Sequence, residues 1–435
     1  MSGPIYRGAS LAALLVMSFL AHAESWVTRY PKARASAEAA CGAHDLASCQ
    51  HALLDLERLV DGRVDIEYRL ARVEAELGLK DSVLRRLELY ARSGLDLGNP
   101  AEEPVFAALN ARDSLRHIAD LYRAGQVAKT AHVQVATLAD PDLVSEDIVC
   151  ERESGSYLVS SVRERKIVRI KAPDRVQDFV TEAQTPLWGM FALGLDAPRN
   201  ILWASTSTTN ISPPIQAGEG DRSALLALNA QTGAVISRYE LSRGGPHGLG
   251  DMTISPTGTV YVSDGLGGGV YTVAPGRVSA LAPLVEPGEV MSPQTPALTR
   301  DGSRLLVPDY ARGIASVDLK THSVSWIEHP PELAIFGIDG LYLDGRTLVA
   351  VQNGTTPERI IMMQLAEGLN RVEQWSVLLA RAPGLGDPTH GCLRRREFYF
   401  IANSGWDQFQ DDGQRRPDSR SSPAEIWKID IPSNR

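Results

Sequence analysis

The sequence predicts a mostly β protein, a six-bladed β-propeller preceded by a small all-α domain of helical repeats. Three observations lead there. Apolar residues recur at helical spacing from about Ala33 to Gly125, short runs alternate apolar and polar residues from His132 onward, and in that second region one strand–turn–strand unit recurs. With 43% hydrophobic and 22% charged residues, the 435-residue chain can bury a core and is not disordered by composition. Its net charge of -9 offers no attraction to a phosphate backbone or an anionic lipid surface, so neither nucleic acid nor membrane is an expected partner.

Residues 1–23 read as a secretory signal peptide: Arg7, an apolar run over 11–20, then Ala21, His22 and Ala23 as a small-x-small cleavage site before Glu24. A bilayer-spanning helix needs about 20 apolar residues. The run is shorter, so no membrane span is expected and cleavage near Ala23 would leave a periplasmic or secreted protein.

Residues 24–130 carry the helical pattern, with Leu53, Leu56, Leu59 and Val60, then Leu70, Val73 and Leu77, then Val83, Leu84, Leu87 and Tyr90 on successive faces. Gly62, Gly78, Gly94 and Gly125 stand where helices should stop. The stretch LARVEAELGLKDSVLRRLELYARSGLDL (70–97) is the best paired unit and is similar to a tetratricopeptide-type repeat, although the full consensus is missing. Such repeats stack and can recruit a protein partner through their concave face. In an oxidising compartment, Cys41 and Cys49 are placed to close a local disulfide between neighbouring helices. Cys150 and Cys392 lie in apolar strand-like contexts and are expected as buried free thiols, unless the first and last repeats meet and bring them close.

Residues 131–435 hold the propeller. TISPTGTVYVSD (253–264), LTRDGSRLLVPD (298–309) and LYLDGRTLVAV (341–351) share one form: an inner strand, a tight turn carrying Gly, and a second strand. A third strand follows, such as GVYTV (269–273) or IASVD (314–318), and related units open at Glu146, Trp188 and His390. Six units in about 300 residues give about 50 each, the length of a four-stranded blade. The alternating segment 132–138 precedes the first unit and is placed to close the ring as an outer strand of the last blade. A β-sandwich would not need the repeat, an α/β fold lacks helices between these strands, and seven blades would require dividing residues 187–242. The polar stretch from Asp407 to Ala424 reads as a mobile loop.

In a propeller the starts of the innermost strands line the central funnel. They present Glu146, Trp188, His247 and Asp251, Gln294, Asp339 and His390. Carboxylates, an amide oxygen and imidazoles aimed at one axis suit a divalent cation, calcium first, with zinc or manganese as alternatives. GLGGG (265–269) joins two strands and is no phosphate loop, and no Gly-x-Ser-x-Gly, Cys-x-x-Cys or His-Glu-x-x-His motif occurs.

From about residue 142 to 432 the chain resembles the senescence-marker-protein/gluconolactonase family, regucalcin-like and strictosidine-synthase-like propellers, in an exported bacterial form. The resemblance rests on Glu146 opening the first unit, PTGTVYVSD and RDGSRLLVPDYARGIASVD as blade cores, and GIDGLYLDGRTLVAVQNG with its Asp-Gly pair. It implies metal-dependent lactone hydrolysis, with Glu146, Asp339 and Gln294 as metal ligands and Asp339 as the catalytic base. His247, Asp251, Trp188 and His390 are assigned to a small-molecule substrate. Gln294 is one methylene longer than the family's asparagine, and Gly250, Asp251 and Met252 replace its Asn-Asp-Gly. A structural role for the two histidines and a core role for Trp188 stand as alternatives. So does a noncatalytic propeller that binds a small ligand and a protein partner.

Overall fold

The computed structural model describes residues 24–60, 63–151, 154–171, 175–183, 186–212, 220–241, 245–276, 280–419 and 422–432. The predicted signal peptide and Gly62 lie outside them. Six helices come first: α1 (Trp26–Gly42), α2 (Leu46–Leu59), α3 (Val64–Glu76), α4 (Lys80–Ser93), α5 (Pro104–Ala107) and α6 (Arg112–Gly125). Ser25 and Asp45 cap the amides of Thr28 and Ser48, satisfying donors that the first turns of α1 and α2 would otherwise leave open. Gly78 and Gly94 take positive φ just past α3 and α4, the left-handed stop that costs glycine least. Cys41 and Cys49 form a disulfide between α1 and α2.

Six four-stranded antiparallel sheets follow. Their innermost strands are Ser145–Cys150, Gly189–Asp196, Leu249–Ile254, Ala297–Leu298, Ile338–Asp344 and Gly391–Arg394 in blades one to six. Strand Val133–Leu138 pairs with Ala424–Asp430 as the outer strand of blade six, closing the ring as the alternation predicts. Residues 189–241 make one blade, so the seven-blade alternative fails.

Each apolar core lies between neighbouring blades. Leu158, Met190 and Leu226 pack between the first two, and Val351, Phe398 and Trp427 between the last two. The acid that ends the second strand of a unit is a backbone hub. Asp309 accepts from the amides of Met291, Ser292, Ala311 and Arg312, and Asp264 from those of Gly248 and Gly267.

Ring closure corrects the expectation of two free thiols. It sets the inner strands of blades one and six side by side, and Cys150 and Cys392 are joined across them with Cα atoms 6.0 Å apart. The polar stretch after Asp407 also departs from expectation, because composition hid one anchor. Phe409 is buried between the guanidinium groups of Arg163 and Arg415, 4.5 and 4.6 Å from its ring centre. Arg415 in turn binds Asp142, while Asn210 holds the carbonyl of Asp411, so the segment straps blade six to blades one and two.

The helices pack on blades four and five. Phe336 and Ala334 complete the core built by Tyr68, Leu87, Tyr90 and Tyr122, and Met291 and Ala311 border the core of α1 to α3. The Asp96 amide donates to Thr356 O at 2.7 Å, buried Arg359 donates to Ser93 O at the end of α4, and Arg381 binds Asp96.

Candidate functional site

Glu146, Asp147, Asp251, Asp339 and His390 meet on the propeller axis, each 9% exposed or less, so water does little to screen their charges. Regular alternation would turn Glu146 and Asp147 to opposite faces. Register shifts occur between Ser145 and Ile148, between Leu249 and Asp251, and between Ile338 and Gly340. Bulges of this kind re-aim side chains where a strand begins, which is how so many acids reach one axis.

Bonds between blades hold the group. The Leu193 amide donates to Asp147, the Thr295 hydroxyl donates to Asp251 at 2.7 Å, and the His390 amide donates to Glu146 O. Asn353 Nδ2 donates to Asp339 Oδ2 at 2.9 Å, and the Tyr310 hydroxyl donates to Asn353 Oδ1. The Trp406 indole N–H donates to Glu146.

His390 Nε2 lies 2.7 Å from Asp251 Oδ1 and 3.7 Å from Asp339 Oδ1, with Nδ1 3.8 Å from Asp147 Oδ1. Nε2 is thus ion-paired with Asp251, although its N–H is not aimed squarely at the carboxylate oxygen. Burial pushes the Glu146 carboxyl up to about 8, opposed by His390 and reinforced by Asp339. Burial likewise raises Asp147 to about 6 and lifts Asp251. Desolvation alone would lower His390, but the facing carboxylates of Asp251 and Asp339 outweigh it and hold the imidazole protonated well above its usual range. The cluster therefore carries an excess of negative charge that only protons or a cation can relieve.

One oxygen or nitrogen each from Glu146, Asp339 and His390 lies within 4.8 Å of the others, close enough to share one metal ion. Two carboxylates and an imidazole are a donor set that fits a divalent cation, which would take the place of the His390 proton. Above them is a depression of about 410 Å³ bordered by Gln294, Tyr310, Asn353, Asp387, Thr389 and Trp406. A second hollow, about 690 Å³, opens at the other end of the axis beside Asp147, Thr295 and Tyr342.

Sequence-selected residues divide accordingly. Glu146, Asp251, Asp339 and His390 converge. Gln294 stays on the rim, its amide turned back onto the carbonyl and hydroxyl of Ser292, so His390 takes the third place expected of it. His247 points its Nδ1 at Asp264, 2.5 Å away, and braces that backbone hub instead of joining the axial group. Trp188 lies neither in the funnel nor in the core; Arg222 and Arg238 stack on its ring at 4.9 and 4.7 Å. Sequence reasoning passed over Asp147, Thr295, Asn353 and Asp387. Asp147 directly follows Glu146 and Thr295 directly follows Gln294, Asn353 and Gly354 end the segment GIDGLYLDGRTLVAVQNG, and Asp387 stands shortly before His390.

No family model matches the chain, and no curated protein matches it. Solved structures do. A gluconolactonase from Xanthomonas campestris matches with 13% identity, covering 69% of this chain and 88% of its own, at a TM-score of 0.43. A Thermus thermophilus protein described as an oxidoreductase of glucose dehydrogenase type matches with 14% identity over 68% of this chain and 99% of its own, at 0.45. A chain of the nidogen/laminin complex matches with 12% identity over 56% of this chain and 92% of its own, at 0.42. Likeness at this level assigns no chemistry to the funnel.

Proposed function

We propose that the funnel is the active site of an exported, metal-dependent hydrolase acting on a lactone or related ester. The observation that carries the reading is the buried convergence of Glu146, Asp339 and His390 beneath an open depression. These three residues would hold the cation. A donor set with an imidazole suits manganese or zinc better than calcium, which prefers oxygen alone. A bound divalent cation would polarise the substrate carbonyl.

The chain's own groups do the rest. Asn353 fixes the Asp339 carboxylate through Oδ2, and that carboxylate would take a proton from water as the water oxygen bonds to the carbonyl carbon. The ring C–O bond then breaks, and the same proton passes from Asp339 to the departing alkoxide. A hydroxy acid results. Trp406 orients Glu146 with its indole N–H, and the Thr295–Asp251 bond keeps Asp251 turned toward His390.

Export is supported by the sequence of residues 1–23 and by two disulfides, which persist outside the reducing cytosol. Among the described residues no helix is long and apolar enough to cross a membrane. The test is acid release from γ- and δ-lactones, with metal content measured on the same protein. Activity lost on chelation and restored by manganese or zinc is the expected result; full activity in metal-free protein overturns the reading.

A further inference from the structure

Two hollows adjoin at Asn353. One is the funnel mouth; the other, of about 540 Å³, lies between the helices and blade five. Leu95, Leu97 and Asp65 form its helical wall, and Asn353, Thr355 and Glu358 its propeller wall. Taken alone, the mouth is near the small end of ligand pockets, about 300–1,000 Å³, and with the second hollow it approaches the large end. A single loop serves both. Its first residue, Asn353, bonds Asp339, while Thr356 accepts the Asp96 amide from the helical side. The helices are thus fixed against the very segment that orients the proposed base.

We propose that mouth and cleft form one groove for a linear, uncharged, hydroxyl-rich ligand of the oligosaccharide kind, with its terminal unit in the mouth and its distal units between Leu97 and Thr355. The lining supplies carboxyl, amide and hydroxyl groups, which bind sugar hydroxyls as both donors and acceptors. Thr389, on the mouth, is 2% exposed and its hydroxyl finds no partner among the described residues, a polar group left for a ligand. Glu358 and Asp387 stand on the groove and disfavour an anionic occupant. Arg63 gives no opposing attraction, since Asp65 binds it through two hydrogen bonds. Only the placing of the reacting end at Asp339 rests on the hydrolase reading.

The experiment is calorimetry on the full chain with neutral cello-, malto- and xylo-oligosaccharides of one to four units, with uronic-acid oligomers as the anionic arm. Leu97, 38% exposed, is replaced by arginine to fill the cleft and by alanine as control. A trimer should bind at least about tenfold more tightly than its monomer, and Leu97→Arg should erase that advantage while Leu97→Ala keeps it. Uronic oligomers should bind more weakly than neutral ones. No oligomer binding, or Leu97→Arg weakening monomer and trimer alike, overturns the groove. Trimer binding without turnover of the corresponding aldonolactones leaves the groove standing and removes the placing of a reacting end at Asp339; the hydrolase reading itself falls only by its own lactone and chelation test.

Discussion

At the scale of single residues, the axial cluster sets four carboxyl groups around one imidazole, and the partners of each decide what a substitution does. Asp339→Asn removes the group that takes the proton while keeping its shape. Lactone hydrolysis should fall about 10²–10⁴-fold, with the melting temperature of the metal-free protein unchanged or higher because one of several facing acids is gone. Melting curves beside initial rates separate this from misfolding. Thr295→Val deletes the hydrogen bond to buried Asp251 and should cost about 1–2 kcal/mol in urea unfolding. Glu146, Asp251, Asp339 and His390 were legible in the sequence because each stands at the start of an inner strand. Asp147 was not, since a bulge, rather than alternation, turns it inward. His247 misled for a related reason: its place in the repeat is right, but the hub carboxylate of Asp264 lies nearer than the axis.

At the scale of elements, segments carrying few apolar residues are fixed by individual contacts. The strap after Trp406 reads as solvated chain by composition, yet Phe409 between two guanidinium groups pins it. Phe409→Ala should open the strap to trypsin at Arg415, seen as faster nicking of the Arg415–Arg416 bond than in the wild type; the next bond, Arg416–Pro417, resists trypsin in either case. The joint between helices and propeller depends on Asp96. The Tyr122 hydroxyl and then Arg381 hold its carboxyl below the usual carboxylate range. A carboxyl with a depressed folded pKa adds stability above its unfolded value, near pH 4, and that part is lost as pH falls through the folded value. Asp96 is about a third exposed, so screening keeps the effect to about 1 kcal/mol. Wild type and Asp96→Asn should therefore differ in denaturant midpoint at pH 6 and converge below about pH 4. The order of the helices and their glycine stops could be read from periodicity. Their docking on blades four and five could not, because Phe336 and Ala334 belong to the propeller's part of the chain.

Over the whole molecule, the propeller was legible because its unit repeats, and the closing strand because an alternating segment stood unclaimed before the first blade. The Cys150–Cys392 bond was harder to foresee, since 242 residues separate partners that only the finished ring brings together. In the chain-entropy account a loop of that length contributes about 5 kcal/mol, against about 2–3 kcal/mol for the short Cys41–Cys49 loop. The Cys150→Ser/Cys392→Ser pair of substitutions should accordingly lower the melting temperature more than Cys41→Ser/Cys49→Ser. Equal losses would mean that the pairing of Val133–Leu138 with Ala424–Asp430 already holds the ring in the absence of the bond.

That bond also makes the stretch from Cys150 to Cys392 a covalent circuit. A protease that cuts once within blades two to five severs the chain without dividing the molecule; its product migrates as one species on a denaturing gel until a reductant is added, and then as two. With the bond in place the chain can thus carry a cut in any of four blades and still keep all six in one particle.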